Sequence, residues 1–169
     1  GTANQTFQMN VSVIKDANDA VVDKAARDAG LDSSSIEPLT GLIDFNVTIP
    51  DSKNYGSIVS VSWVLPEGTT NPTYLKQDPI TGSYSEFPYD SSTGEGARWD
   101  ASTNTLTVYV RDDGKYDADP TPGQVRDPAM IGDQNSGDST APTLSSSTPA
   151  DNATAVATTS NIVLTFSEA

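Results

Sequence analysis

The sequence contains neither cysteine nor histidine among its 169 residues. These two absences exclude a disulfide framework, a Cys/His zinc site, a thiol nucleophile and a Ser-His-Asp triad. A secreted domain without disulfides must be stabilised by core burial, by oligomerisation or by metal ions. No apolar run reaches the length of about 18 residues that a membrane-spanning helix needs, and we expect no membrane insertion.

Basic residues are also scarce. The chain carries 9 Lys and Arg against 23 Asp and Glu, which gives a formal net charge of −14. Such a chain repels nucleic acid and anionic lipid, so nucleic acid is excluded as a partner. Strong acidity suits divalent cations, but it equally favours simple solubility in salty surroundings, and both interpretations stay open at this point.

Alternation of apolar and polar residues predicts β-strands along most of the first 132 residues. The strand segments are 6–14, 42–49, 58–65, 73–75, 83–87, 98–100 and 106–110. Residues 16–29 instead show a helical period with a thin apolar stripe, and Gly30 is placed to end this helix. The sequence therefore predicts an all-β protein, an antiparallel β-sandwich with one short helix near the N-terminus that lies on a sheet edge.

Four motifs occur in a fixed order between residues 36 and 132. They are GLIDFNV at 41–47, VSVSWVLPEG at 59–68, YLK with DPITGSY at 74–84, and DDG, DAD and VRDP at 112–128. In order and spacing they resemble the choice-of-anchor U domain of bacterial surface proteins. This chain carries Asp113 where that family has the first glycine of a pair. The resemblance implies a surface-protein module and supplies no activity for it.

The C-terminal region resembles a different family. DSTAP at 138–142 and TPADNAT at 148–154 are similar to the start of the Ig-like repeats of large secreted adhesins, many of which are loaded with calcium. An Ig-like sandwich needs about 100 residues, so this segment is expected to be incomplete. The expected organisation is a sandwich at 1–132, a linker at 133–141 and the first part of an Ig-like repeat at 142–169. The resemblance implies an extracellular location on a bacterial cell surface, a role in biofilm adhesion, and neighbouring Ig-like modules of the same polypeptide as partners.

Acidic residues cluster in RDDGKYDAD at 111–119. Calcium binds six to eight hard oxygens, commonly from alternating carboxylates on a loop. We therefore predict calcium as cofactor. The predicted ligands are Asp112, Asp113, Asp117 and Asp119, with Asp127 as a distant ligand and Asp138 as a further candidate between the two modules. The spacing does not match an EF-hand. The alternatives are a solvated acidic turn and, around Asp138, a flexible spacer.

Three aromatic residues fall in predicted loops or hairpin edges: Tyr84, Tyr89 and Trp99. Such residues beside aspartates can hold a sugar or a peptide end, so they are candidate ligand-binding residues. The alternative is hydrophobic packing beneath the loop at 91–97.

The leading hypothesis is a non-enzymatic structural or spacer module of a large secreted surface adhesin, stabilised by calcium. Carboxylate pairs could act as a glycosidase acid and nucleophile only at a defined separation, which the sequence does not supply. One alternative is a module that binds a glycan or peptide. Another is a filament subunit completed by strand exchange through residues 161–165, which would make the chain self-associate.

Overall fold

The computed structural model describes residues 8–15, 19–134, 144–150, 153–154, 161 and 163–166. The chain divides into two compact units, Gly1–Asn135 and Ser136–Ala169. The strands of the first unit are β1 (Gln8–Lys15), β2 (Ile36–Pro38), β3 (Leu42–Thr48), β4 (Ile58–Val64), β5 (Pro72–Gln77), β6 (Tyr84–Glu86), β7 (Gly96–Asp100), β8 (Thr105–Arg111) and β9 (Gln124–Gln134). Its helix is α1 (Asp19–Ala29). The second unit contains β10 (Leu144–Thr148) and β11 (Val163–Phe166), which pair with each other.

The first unit is a two-sheet sandwich. The larger sheet has the order β1-β3-β9-β5-β6, and β2 also pairs with β9. The smaller sheet has the order β4-β8-β7. Every ladder within these two sheets is antiparallel. The predicted all-β sandwich with one short helix near the N-terminus is therefore confirmed.

The main core lies between the sheets. In β3 and β8 every second residue is buried, as expected for strands with one face against a core. Phe45 of β3 and Val108 of β8 are fully buried in the same cluster. The Phe45 ring lies 5.7 Å from the ring of Trp63, which packs against that cluster from β4. The period-2 pattern of the sequence thus fixes which side chains hold the two sheets together.

Helix α1 covers the outer face of the larger sheet beside its edge strand β6. Val22, Ala25 and Ala26 of the helix are buried in a second cluster with Leu75 of β5 and Met130 of β9. The helix ends with Gly30 at φ 75°, and the N–H of Leu31 donates to the carbonyl of Ala26 at 2.8 Å. This is the Schellman arrangement expected of a glycine after the last turn. The helix therefore stabilises a core of its own and does more than lie along an edge.

Strand β9 was not predicted, although it is the central strand of the larger sheet. It pairs with β3 on one side and with β5 on the other. Pro128 argues against a central strand, because proline cannot donate to a ladder. The β5–β9 ladder ends at Ala129, so Pro128 lies just beyond it and has no partner in β5. Asp133 and Gln134, the expected start of a linker, are the last residues of this strand.

Aspartates organise the turns of the first unit. In seven Asp-x-x turns of the described residues the side-chain oxygen accepts the backbone N–H of the residue two positions later; the aspartates are Asp32, Asp51, Asp78, Asp90, Asp100, Asp117 and Asp119. This is the Asx-turn pattern, in which the carboxylate replaces a backbone acceptor. Many of the acidic residues are therefore explained by local turn chemistry.

We predict that these turns make stability depend on pH on the acid side. Hydrogen bonds from Ser92 and Ser102 lower the pKa of Asp90 and Asp100 below the ordinary value. A carboxyl with a lowered folded-state pKa contributes stability above its unfolded pKa of about 3.9, and this is lost as the pH falls through the folded-state value. In urea titrations from pH 5 to pH 2, Asp90→Asn should reduce the loss of unfolding free energy, and adding Asp100→Asn should reduce it further. An unchanged slope in both variants would contradict this role.

Candidate functional site

Asp112 is the first residue of the predicted calcium loop after β8 and is 1% exposed. Its two carboxylate oxygens accept different backbone N–H groups, Oδ1 that of Gly123 and Oδ2 that of Gly56, each at 2.8 Å. The N–H of Asp112 donates in turn to the carbonyl of Ser57. One buried carboxylate thus joins the end of β8 to the loop before β4 and to the loop before β9.

Asp117 has a similar arrangement. Its Oδ1 accepts the N–H groups of Asp119 and Arg126, and its Oδ2 accepts the N–H of Asp113 at 3.1 Å. Burial raises the pKa of Asp117, and the three N–H donors oppose that rise. Asp113 itself is exposed and has φ 56°, the left-handed region that favours glycine.

Asp127 is completely buried. Its Oδ1 accepts a hydrogen bond from Lys76 Nζ at 2.6 Å, and its Oδ2 accepts one from the Tyr74 hydroxyl at 3.2 Å. Lys76 is itself only 6% exposed. Burial raises the pKa of Asp127 to about 6, while the charge of Lys76 opposes that rise.

The predicted metal ligands thus have separate hydrogen-bonding partners. Asp112 and Asp117 accept backbone donors, Asp119 forms an Asx turn, and Asp127 pairs with a lysine. Asp138 lies outside the described residues. Among the residues that the structure describes, no three acidic side chains come together in a way that could hold a metal ion. Calcium binding by this set stays a prediction.

The three candidate aromatic residues do not form one platform. Tyr84 is buried beneath α1, because its ring belongs to the helix-facing cluster of the larger sheet; its assignment to an exposed binding face is therefore corrected. Tyr89 is exposed and lies edge-on to Tyr109 at 5.4 Å. Trp99 packs against the main core from β7, and its buried Nε1 has no hydrogen-bond partner among the described residues.

An open groove of about 530 Å³ runs along the smaller sheet. Its lining combines Trp99 and Tyr109 with polar groups, among them Arg98, Asp100 and Thr107. A second cleft of about 190 Å³, also lined by Trp99, lies beside Tyr74, Glu86 and Gln134. Trp99 therefore borders both concave surfaces, as a residue that contacts a bound sugar or peptide would.

Sequence reasoning missed Lys76, Tyr74 and Asp133. Lys76 follows Tyr74 by two residues in β5, so both side chains are on the same face of the sheet. That spacing could have placed Lys76 in the core once β5 was extended beyond residue 75. Asp133 is 2% exposed and accepts the N–H groups of Thr70 and Asn71. It was missed because its strand was assigned to a linker.

Residues 138–169 match the family model of a bacterial Ig-like domain. Domains of this family occur in bacterial surface proteins. No curated protein and no solved structure matches the chain. The Ig-like part of the expected resemblance is confirmed, and the choice-of-anchor U part stays a prediction.

The helix of the described region is too short to cross a bilayer. No helix among those residues combines the length and the apolar character of a membrane span.

We predict that Asp112→Asn destabilises the first unit by about 1–3 kcal/mol, because the amide keeps one acceptor oxygen and leaves either the part-buried N–H of Gly56 or the buried N–H of Gly123 without its acceptor. Asp113→Asn removes the same charge from an exposed carboxyl and tolerates the left-handed backbone, so its effect should stay within about 0.5 kcal/mol. Urea unfolding at neutral pH measures both. Equal losses in the two variants would show that charge, and not the buried hydrogen bonds, matters.

Proposed function

We propose that the chain is a non-enzymatic structural module of a bacterial surface polypeptide, joined in series to Ig-like modules. The observation that carries this proposal is the bacterial Ig-like match at 138–169, directly after a compact sandwich. Adhesion, an extracellular location and a role in biofilm belong to the same proposal. They are supported by the occurrence of such Ig-like domains in bacterial surface proteins.

The direction of the strands supports a spacer role. β1 and β9 both run antiparallel to β3, so they are parallel to each other within one sheet. Gln8 at the start of β1 and Gln124 at the start of β9 both pair with Thr48. The end of β9 at Gln134 therefore lies at the opposite end of the sheet, about 35 Å away for 11 residues at a rise of about 3.3 Å. The chain enters at one end and leaves at the other, so the module adds its length to the polypeptide.

The second unit supports an arrangement in series. β10 and β11 form a two-stranded sheet that exposes Leu144, Val163 and Leu164, each by more than half. A two-stranded sheet is marginally stable on its own, and an Ig-like sandwich has about seven strands. We propose that the other strands of the Ig-like sandwich, beyond β10 and β11, come from the same polypeptide. Completion by another copy, which would produce a self-associating filament, stays the alternative.

We predict that the first unit resists force along its long axis. With Gly1→Cys and Asn135→Cys as attachment points, force would load the β1–β3 and β3–β9 ladders in shear, so that many hydrogen bonds must break together. With Gly1→Cys and Ser52→Cys, force would open the β1–β3 pair from one end, one bond at a time. The chain has no cysteine, so the introduced handles are unique. Single-molecule unfolding should need a clearly higher force in the first geometry; equal forces would contradict the spacer role.

A module that binds a glycan or peptide is the second candidate, and the unpaired Nε1 of Trp99 beside two concave surfaces favours it. The structural role predicts that saccharide and peptide arrays retain nothing at micromolar affinity. Specific retention that Trp99→Phe abolishes, while Tyr55→Phe leaves it intact, would establish the binding function. Tyr55 is a suitable control because it is an exposed aromatic residue in neither cleft.

A further inference from the structure

A primary amine and a carboxylate face each other in the core, and the non-enzymatic role of the module does not use them. Lys76 and Asp127 are 6% and 0% exposed, and Lys76 Nζ lies 2.6 Å from Asp127 Oδ1. The Phe87 ring is 5.3 Å from Nζ, and both strands belong to the buried sandwich. Burying two opposite charges in this way is costly, and the pair often stabilises a fold less than apolar residues of the same volume would.

The sheet holds these two groups in register. Lys76 of β5 is paired with Ala129 of β9, and Asp127 lies two residues from Ala129 on the same face. The ladder between β5 and β9 therefore fixes both side chains before any reaction. Groups held in contact in this way react with effective molarities of about 10⁵–10⁸ M.

We propose that Lys76 Nζ and Asp127 Cγ become joined by an amide bond, formed within the folded protein with release of one water molecule. The reaction replaces two buried charges by one neutral amide, and so removes the cost of burying the ion pair. In a chain without cysteine, it also supplies a covalent link between two strands.

A proton moves from the ammonium of Lys76 to Oδ1 of Asp127 along their hydrogen bond, which leaves a neutral amine and a carboxylic acid. The nitrogen lone pair attacks Cγ, and the electron pair of the C=O bond moves onto Oδ2. A second proton passes from nitrogen to Oδ1, the bond between Cγ and Oδ1 breaks, and Oδ1 departs as water while the C=O bond reforms. The third ammonium proton remains as the amide N–H, and nothing is oxidised or reduced.

Tyr74 is the catalytic residue of this step. Its hydroxyl donates to Oδ2 at 3.2 Å, the oxygen on which negative charge develops in the tetrahedral intermediate. Burial, and then the charge of Asp127, raises the pKa of Tyr74 well above its ordinary value, so the hydroxyl keeps its proton. The raised pKa of Asp127 makes the neutral carboxylic acid accessible near neutral pH.

The released water has a route to solvent. Lys76 lines a surface cleft of about 310 Å³ together with Tyr116 and Asp117. The two reacting groups are therefore buried between the sheets, and the site borders solvent where Lys76 lines this cleft. The released water can leave into this cleft.

The intact mass of the purified chain tests the proposal. We expect it to be one water molecule lighter than the mass of the sequence. Tryptic digestion should yield one branched species that joins residues 54–98 to residues 127–169, because linked Lys76 is no longer a cleavage site. A full sequence mass, with residues 54–76 and 127–169 recovered as separate peptides, would overturn the proposal.

Two variants locate the bond and its catalyst. The double variant Lys76→Met, Asp127→Leu replaces the pair by apolar residues of similar volume, which buried ion pairs commonly tolerate, and should show the full mass of its own sequence. Loss of water that persists in this variant would place the dehydration elsewhere and overturn the assignment. Tyr74→Phe should slow the loss of mass after refolding by about 10²–10³-fold, the usual effect of removing one oxyanion donor. A rate equal to that of the unchanged chain would remove Tyr74 from the mechanism.

Discussion

The sandwich depends on one constraint, which is that a carboxylate can be buried only where hydrogen-bond donors surround it. Three aspartates meet this constraint. Asp112 accepts the backbone N–H groups of Gly56 and Gly123, and Asp133 accepts those of Thr70 and Asn71. Asp127 is surrounded by the amine of Lys76 and the hydroxyl of Tyr74. The first two fix loops at the ends of the sheets, and the third joins β5 to β9 inside the core. A chain without disulfides is thus tied together by its acidic side chains.

The strand ladders and the hydrogen bonds of these aspartates support the proposed spacer role. The β1–β3–β9 ladders carry the chain from one end of the larger sheet to the other. Asp112 fixes the loop that leads into β9, and the Lys76–Asp127 pair connects β9 to its other neighbour, β5. In the proposed role, tension between the two ends of the module would pass through its central strand. This arrangement suits a series of modules, and the bacterial Ig-like match at 138–169 indicates the kind of neighbour to which it is joined.

Much of the fold follows from local pattern, but the site does not. Alternation in β3, β4 and β8 predicted these strands almost to the residue, because one buried face imposes a period of two. β9 was missed since Pro128 breaks that pattern, and only the three-dimensional sheet shows that β5 stops pairing there. The cluster at 111–119 was predicted as a calcium loop, which stays a prediction; the hydrogen bonds of Asp112 depend on the backbone N–H groups of Gly56 and Gly123, which composition does not reveal. Lys76 and Asp127 are 51 residues apart and meet only through the register of two strands.

The claim that buried carboxylates hold the loops is tested most directly by amide hydrogen exchange at Gly56 and Gly123 in the intact chain, with EDTA present. Both N–H groups lie in connecting segments, outside any ladder, and each donates to a different oxygen of Asp112 at 2.8 Å. We expect both amides to be protected to a degree similar to that of the β-ladders, with no metal ion required. Exchange as fast as in an exposed loop, or protection that develops only when calcium is added, would contradict this claim.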